Sequence, residues 1–125
     1  MIGYTTVGTN DLNRSASFYD ALFELFDAKR MMESDEFIVW GTSPEKPMFS
    51  IHLPANGKPA TVGNGVMIAL FSSDIEQVAA VYNKAIELGG SSEGKPGPRG
   101  DGGFYAAYFR DLDGNKLNTF CMVSA

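Results

Sequence analysis

The sequence predicts an α+β protein made of two tandem βαβββ modules, and three observations predict it. The first is an internal repeat. At an offset of 63 positions Asp11, Ala16, Tyr19, Glu24 and Leu25 recur as Asp74, Ala79, Tyr82, Glu87 and Leu88. Between these identities Leu12 answers to Ile75, Phe18 to Val81, Asp20 to Asn83 and Phe23 to Ile86. The second is the order of hydrophobic patterns, in which a short strand, a capped amphipathic helix and further strands run through twice. The third is the stretch from Pro54 to Gly65, crowded with Gly, Pro and Asn, which separates the two runs as a linker. One domain over 1–125 results, with module one at about 1–54, the linker at about 54–65 and module two at about 65–125. A duplicated module can close on its copy, and the cleft at the pseudo-twofold axis is the expected place for function.

The elements follow in order. Residues 2–8 are apolar and β-branched enough for a strand. Asn10 and Asp11 offer capping side chains to a helix running to about residue 26, whose buried face carries Leu12, Phe18, Tyr19, Leu22, Phe23 and Phe26 near a 3.6-residue period. Strands are expected around 28–32, 36–41 and 48–53, the first two joined by the polar turn Glu33-Ser34-Asp35. A fifth strand is expected at 65–72. Ser73-Asp74-Ile75-Glu76 then reads as a capping box opening a second helix, which presents Val78, Val81, Tyr82, Ala85 and Leu88 and stops at Gly89-Gly90. Strands near 103–110 and 116–121 complete the copy across the turn Asp111-Leu112-Asp113-Gly114-Asn115. Between them and the second helix, residues 90–103 hold many glycines and two prolines. They read as a flap or loop with a short strand near Ser91–Glu93.

Bulk properties bound the function. The 125 residues are 44% hydrophobic and 20% charged, the balance of a globular chain that can bury a core. A net charge of −5 argues against nucleic-acid or anionic-membrane surfaces, which favour basic patches, and suits a cationic or neutral compound. Cys121 is the only cysteine, so neither an intramolecular disulfide nor a cysteine-based zinc cluster is expected. The start of the chain has no secretory pattern and no run long enough to span a bilayer, so a cytoplasmic protein is expected.

The tandem repeat, together with Val7-Gly8-Thr9-Asn10-Asp11-Leu12 through Phe18-Tyr19, Gly57 through Gly65, and Tyr105 through Asn115, resembles the vicinal oxygen chelate superfamily. That superfamily includes glyoxalase I, bleomycin-resistance proteins and extradiol dioxygenases. The resemblance spans essentially the whole chain. It implies curved sheets forming an open barrel-like cleft with both helices outside, and a homodimer in which a second chain can complete the cleft. In the metal-dependent members, His or Glu ligands project from the first and fourth strands of each module. Carried over by position, those places here are Tyr4 and Met67, which the repeat sets against each other, and His52 and Asn118.

The chemistry of these four residues departs from that pattern. Divalent transition metals take imidazole nitrogen or carboxylate oxygen. A phenol ligates only when strongly activated, a thioether suits copper(I), and a neutral amide is a feeble donor. No metal and no other cofactor is therefore expected. If a metal were present, it would be a divalent transition metal.

The remaining candidates are ligand-binding residues. His52, the only histidine, reads as cleft-lining, with general-base work or a merely structural hydrogen bond as its other roles. Arg99 and Asp101 are the charged residues of the glycine-rich segment best placed to reach a ligand. Tyr108, Trp40, Phe49, Phe104 and Phe120 can add aromatic walls, core packing being the alternative, and strand alternation assigns Phe49 and Ile51 to the core. Asp111 and Asp113 read as turn residues, the helical Glu24 and Glu87 as solvent-exposed, and Cys121 as a buried, inert thiol.

The expected function is metal-free binding of a small organic molecule in a cleft lined by Tyr4, His52, Met67, Asn118, Arg99 and Tyr108. The alternative is a metal-dependent glyoxalase-type lyase or isomerase, or a dioxygenase, in which the metal polarises vicinal oxygens of a small substrate.

Overall fold

The computed structural model describes residues 1–124. The first module runs β1 (Tyr4–Gly8), α1 (Leu12–Phe23) with a 3₁₀ turn at Glu24–Phe26, β2 (Lys29–Glu33), β3 (Phe37–Gly41) and β4 (Met48–His52). The second runs β5 (Ile68–Phe71), α2 (Ile75–Glu87), β6 (Ser91–Pro98), β7 (Phe104–Arg110) and β8 (Lys116–Met122). Each module forms its own four-stranded mixed sheet, in the orders β1-β4-β3-β2 and β5-β8-β7-β6. The matched orders, with one parallel pair in each sheet (β1 with β4, β5 with β8), are the structural image of the sequence repeat.

Both helices start on an aspartate. The Asp11 carboxylate accepts from the Arg14 amide at 3.0 Å and that of Asp74 from the Gln77 amide at 2.9 Å. The second cap is therefore Asp74 and not Ser73 as the capping box predicts. A carboxylate is the stronger acceptor at the positive end of a helix, and Gln77 reaches back instead to the Ser73 amide. Helix α2 ends as expected: Gly89 takes φ +104 and the Gly90 amide donates to the Ala85 carbonyl.

Two segments differ from expectation. β5 begins at Ile68 rather than near 65, because a turn closed from Val66 N–H to Gly63 O occupies the preceding residues. Residues 91–98 form an eight-residue strand rather than a flap, paired with β7 through register shifts between Ser92 and Gly94 and between Gly94 and Gly97. Its place at the sheet edge lets it carry Pro96 and Pro98, whose missing N–H groups would break an interior ladder. Only residues 99–103 remain as loop.

One hydrophobic core joins the modules. It runs from Ile51 and Phe49 on the first sheet through Tyr19 and Leu22 of α1 to Val81 and Ala85 of α2, and on to Phe109 and Leu117 of the second sheet. α1 touches α2, and its buried stripe is broad (Ser15, Ala16, Phe18, Tyr19, Leu22, Phe23), as a helix packed on two sides requires. The helices thus lie between the modules, on the core faces of the sheets and outside the open faces as expected, and the two sheets are not closed into a barrel within the chain. Polar ties reinforce this packing: Asn115 Nδ2 donates to Gly8 O at 2.9 Å, the Asn10 amide to Asp113 at 3.0 Å and Gln77 Nε2 to Leu25 O at 2.8 Å. No helix among the described residues is long and apolar enough to cross a membrane.

Candidate ligand-binding site

Strand alternation divides each sheet into a core face and an open face. On the first sheet Phe49, Ile51, Ile38 and Trp40 point to the core. The open face therefore carries Tyr4, His52 and Phe37, with Tyr4 65% exposed. The His52 ring stacks on Phe37 at 5.7 Å between centroids, and its Nδ1 is engaged by the Leu53 carbonyl. A carbonyl can only accept, so Nδ1 is the donor of this pair.

On the second sheet Leu117, Thr119 and Cys121 face the helices, which turns Lys116, Asn118 and Phe120 to the open side. Tyr108 lies directly across from Asn118, and Ala106 across from Phe120. Asn118 is 1% exposed, and its side-chain oxygen is buried without a hydrogen-bond partner. Such a group costs roughly 1–3 kcal/mol. Phe104 stacks on Phe120 at 5.4 Å, and Phe71 meets Phe120 edge-on at 5.6 Å.

Five of the six predicted cleft residues therefore fall into two groups. Tyr4 and His52 belong to the first open face, and Asn118, Tyr108 and Arg99 to the second. No hydrogen bond, ion pair or ring contact joins the groups among the described residues. Met67 stands just before β5 and lines two cavities. One, of about 560 Å³, lies between the modules and has only apolar and uncharged walls, including Phe23, Phe26, Met48 and Leu70. The other, of about 490 Å³, is bounded by the turn 62–67 with Arg110 and Lys116. Trp40 and Phe49 are core residues, as alternation predicts for Phe49, and Asp101 borders a separate cavity with Phe104 and Tyr105.

Sequence reading passed over Lys116, although it sits two residues from Asn118 and so must share its face. Asp111 is a turn residue as expected, accepting from the Asp113 and Asn115 amides at 2.9 Å each. Cys121 is buried, and that burial, followed by the nearby Asp74 and Glu76 carboxylates, pushes its thiol pKa up, away from reactivity.

Tyr4, His52, Met67 and Asn118, the places to which the resemblance carries ligands, offer a phenol, an imidazole, a thioether and an amide, and the register sets Ser50 rather than His52 in the place that corresponds to Asn118. That donor set does not fit a divalent transition metal. Among the described residues no three His, Cys, Asp or Glu side chains converge as a metal-binding group.

Residues 1–119 match the family model of the Glyoxalase/Bleomycin resistance protein/Dioxygenase superfamily. The chain belongs to this superfamily. Among solved structures it is similar to a glyoxalase/bleomycin resistance protein from Albidiferax ferrireducens T118, with 36% identity and a TM-score of 0.87 over 96% of this chain and 97% of that one. A hypothetical protein from S. aureus matches at 26% identity and a TM-score of 0.72, covering 99% and 93%. A lactoylglutathione lyase from Agrobacterium tumefaciens shares the fold at 20% identity and a TM-score of 0.69, covering 96% and 92%. No curated protein matches the chain. Across this glyoxalase/bleomycin resistance superfamily the fold is held in common, while the chemistry depends on the side chains that each open face presents.

Proposed function

We propose that this superfamily member binds a small organic molecule on the open face of its second sheet, without a metal. The observation that carries the reading is Asn118, a buried amide whose oxygen has no partner. An unsatisfied acceptor beside Tyr108 and the Phe104–Phe120 pair is the equipment of an organic pocket, with apolar walls and a few placed polar groups. The face also needs a roof. Because the helices hold the two sheets apart within one chain, the opposing face comes from a second copy, the first sheet of one protomer covering the second sheet of the other. Exposed apolar side chains on both open faces support this: Tyr4 and Met32 on one, Phe71 and Met122 on the other. A twofold dimer assembled in this way has two equivalent sites.

The test combines metal analysis with ligand screening. Protein purified from metal-replete medium without chelator or affinity tag is analysed by mass spectrometry. It is then screened by thermal shift against small aromatic and aliphatic compounds, beside a Met67→Trp variant. The expected result is below about a tenth of an equivalent of any transition metal, with ligand-dependent stabilisation that Met67→Trp removes. Near-stoichiometric zinc, nickel, iron or manganese, or ligand uptake that needs added metal, overturns the reading in favour of a metal-dependent lyase, isomerase or dioxygenase.

A further inference from the structure

The open face of the second sheet concentrates positive charge that the net charge of −5 conceals. The Arg99 guanidinium lies over the Tyr108 ring, 5.4 Å from its centroid, and the Lys116 ammonium lies 5.5 Å from the same centroid. Arg99 spends its N–H groups on the carbonyl oxygens of Lys95, Gly97 and Pro98, which fixes its position but leaves its charge uncompensated. Arg110, beside Lys116 in the cavity bounded by the turn 62–67, is paired with Glu93 at 3.1 Å and donates to Gly114 O. Among the described residues no carboxylate pairs with Arg99 or Lys116. Three cations thus meet one anion, and two of the cations share a single ring. Arg99 reaches the ring from the β6 side and Lys116 from β8, where Lys116 stands directly across from Arg110, a like-charge pair that an anion would relieve. Across from that ring lies Asn118, whose buried oxygen awaits a donor.

We propose that the ligand of this face is a small organic anion that also carries a hydroxyl or amine. Its anionic group lies at Lys116, its O–H or N–H donates to Asn118 Oδ1, and its apolar part rests on Phe104 and Phe120. This rests on the reading of the face as a small-molecule site and replaces the cationic ligand that the net charge suggests.

The experiment is a titration of the isotope-labelled protein followed by amide chemical shifts. The anionic probes are salicylate, lactate, phenyl phosphate and inorganic phosphate, set against neutral salicylamide and cationic benzylamine. Saturable shifts at Tyr108, Lys116 and Asn118 are expected with an organic anion, at least ten times tighter than with salicylamide and weakening as sodium chloride is raised. Lys116→Met is expected to lose at least tenfold in affinity for that anion and to leave salicylamide unchanged, while Lys116→Arg restores binding. Equal or tighter binding of salicylamide or benzylamine overturns the anionic assignment and leaves the small-molecule reading standing, as does an unaffected Lys116→Met. Inorganic phosphate binding as tightly as every organic anion overturns the organic part. A face that no probe perturbs overturns both readings.

Discussion

The Tyr19 hydroxyl donates to the Asp111 carboxylate at 2.6 Å, tying the helix of the first module to the β7–β8 hairpin of the second across 92 positions of sequence. Both side chains are buried, and Asn115 Nδ2 donates to the same carboxylate at 3.0 Å. Burial, reinforced by the neighbouring Asp111 charge and its hydrogen bond, pushes the Tyr19 pKa well above that of a free phenol. Tyr19→Phe leaves a buried carboxylate short of a donor and is expected to cost about 1–3 kcal/mol, read from the urea midpoint at unchanged slope. Because the folded pKa is raised, the stabilisation is complete below about pH 10, the unfolded value. It is lost as pH rises toward the folded value, and Tyr19→Phe is expected to flatten that alkaline loss.

Asp20 provides an acid-side reporter. It accepts from Arg30 at 2.7 and 2.9 Å and from Trp40 Nε1 at 2.9 Å. The Arg30 hydrogen bonds, more than that of Trp40, hold its carboxyl below the ordinary range even though partial burial works the other way. Its contribution is present above the unfolded pKa, near 4, and is lost as pH falls through the folded value. Trp40 is the only tryptophan, so its fluorescence is expected to titrate with a midpoint below that of a free aspartate. Asp20→Asn should abolish the transition; an unchanged titration would remove Asp20 as its source.

Asn118→Leu is expected to separate stability from binding. Replacing an unsatisfied buried amide with an apolar side chain of similar size is expected to stabilise the fold by about 1–3 kcal/mol, seen as a higher melting temperature. Ligand affinity on the same face is expected to fall. A variant that melts lower would mean that the amide oxygen has a partner in solution.

Phe71 is 66% exposed at the edge strand of the second sheet. With a second copy covering that face, Phe71→Asp buries a charge at the interface and is expected to shift the protein from dimer to monomer by light scattering, at unchanged secondary structure. A wild-type monomer at micromolar concentration would refute the two-chain site.

Element order and type are local properties, and the sequence by itself determined them. Asp11 and Asp74 stand where helices begin, Gly89 and Gly90 where one stops, and alternation already turned Phe49 and Ile51 inward. The repeat likewise made the two sheets copies of each other before either was seen. Residues 91–98 were less legible, because glycine and proline have low strand propensity and only the β7 edge beside them makes them a strand. The site was legible only in part. Asn118 and Tyr108 could be placed on one face by counting, but the orphaned oxygen of Asn118 and the approach of Arg99 and Lys116 to one ring depend on how side chains from separate strands and a loop pack in space. Tertiary structure alone decided that the helices lie between the modules. Both α1 faces that could be buried are apolar, and a 3.6-residue period records how much of a helix is covered without recording by which neighbour.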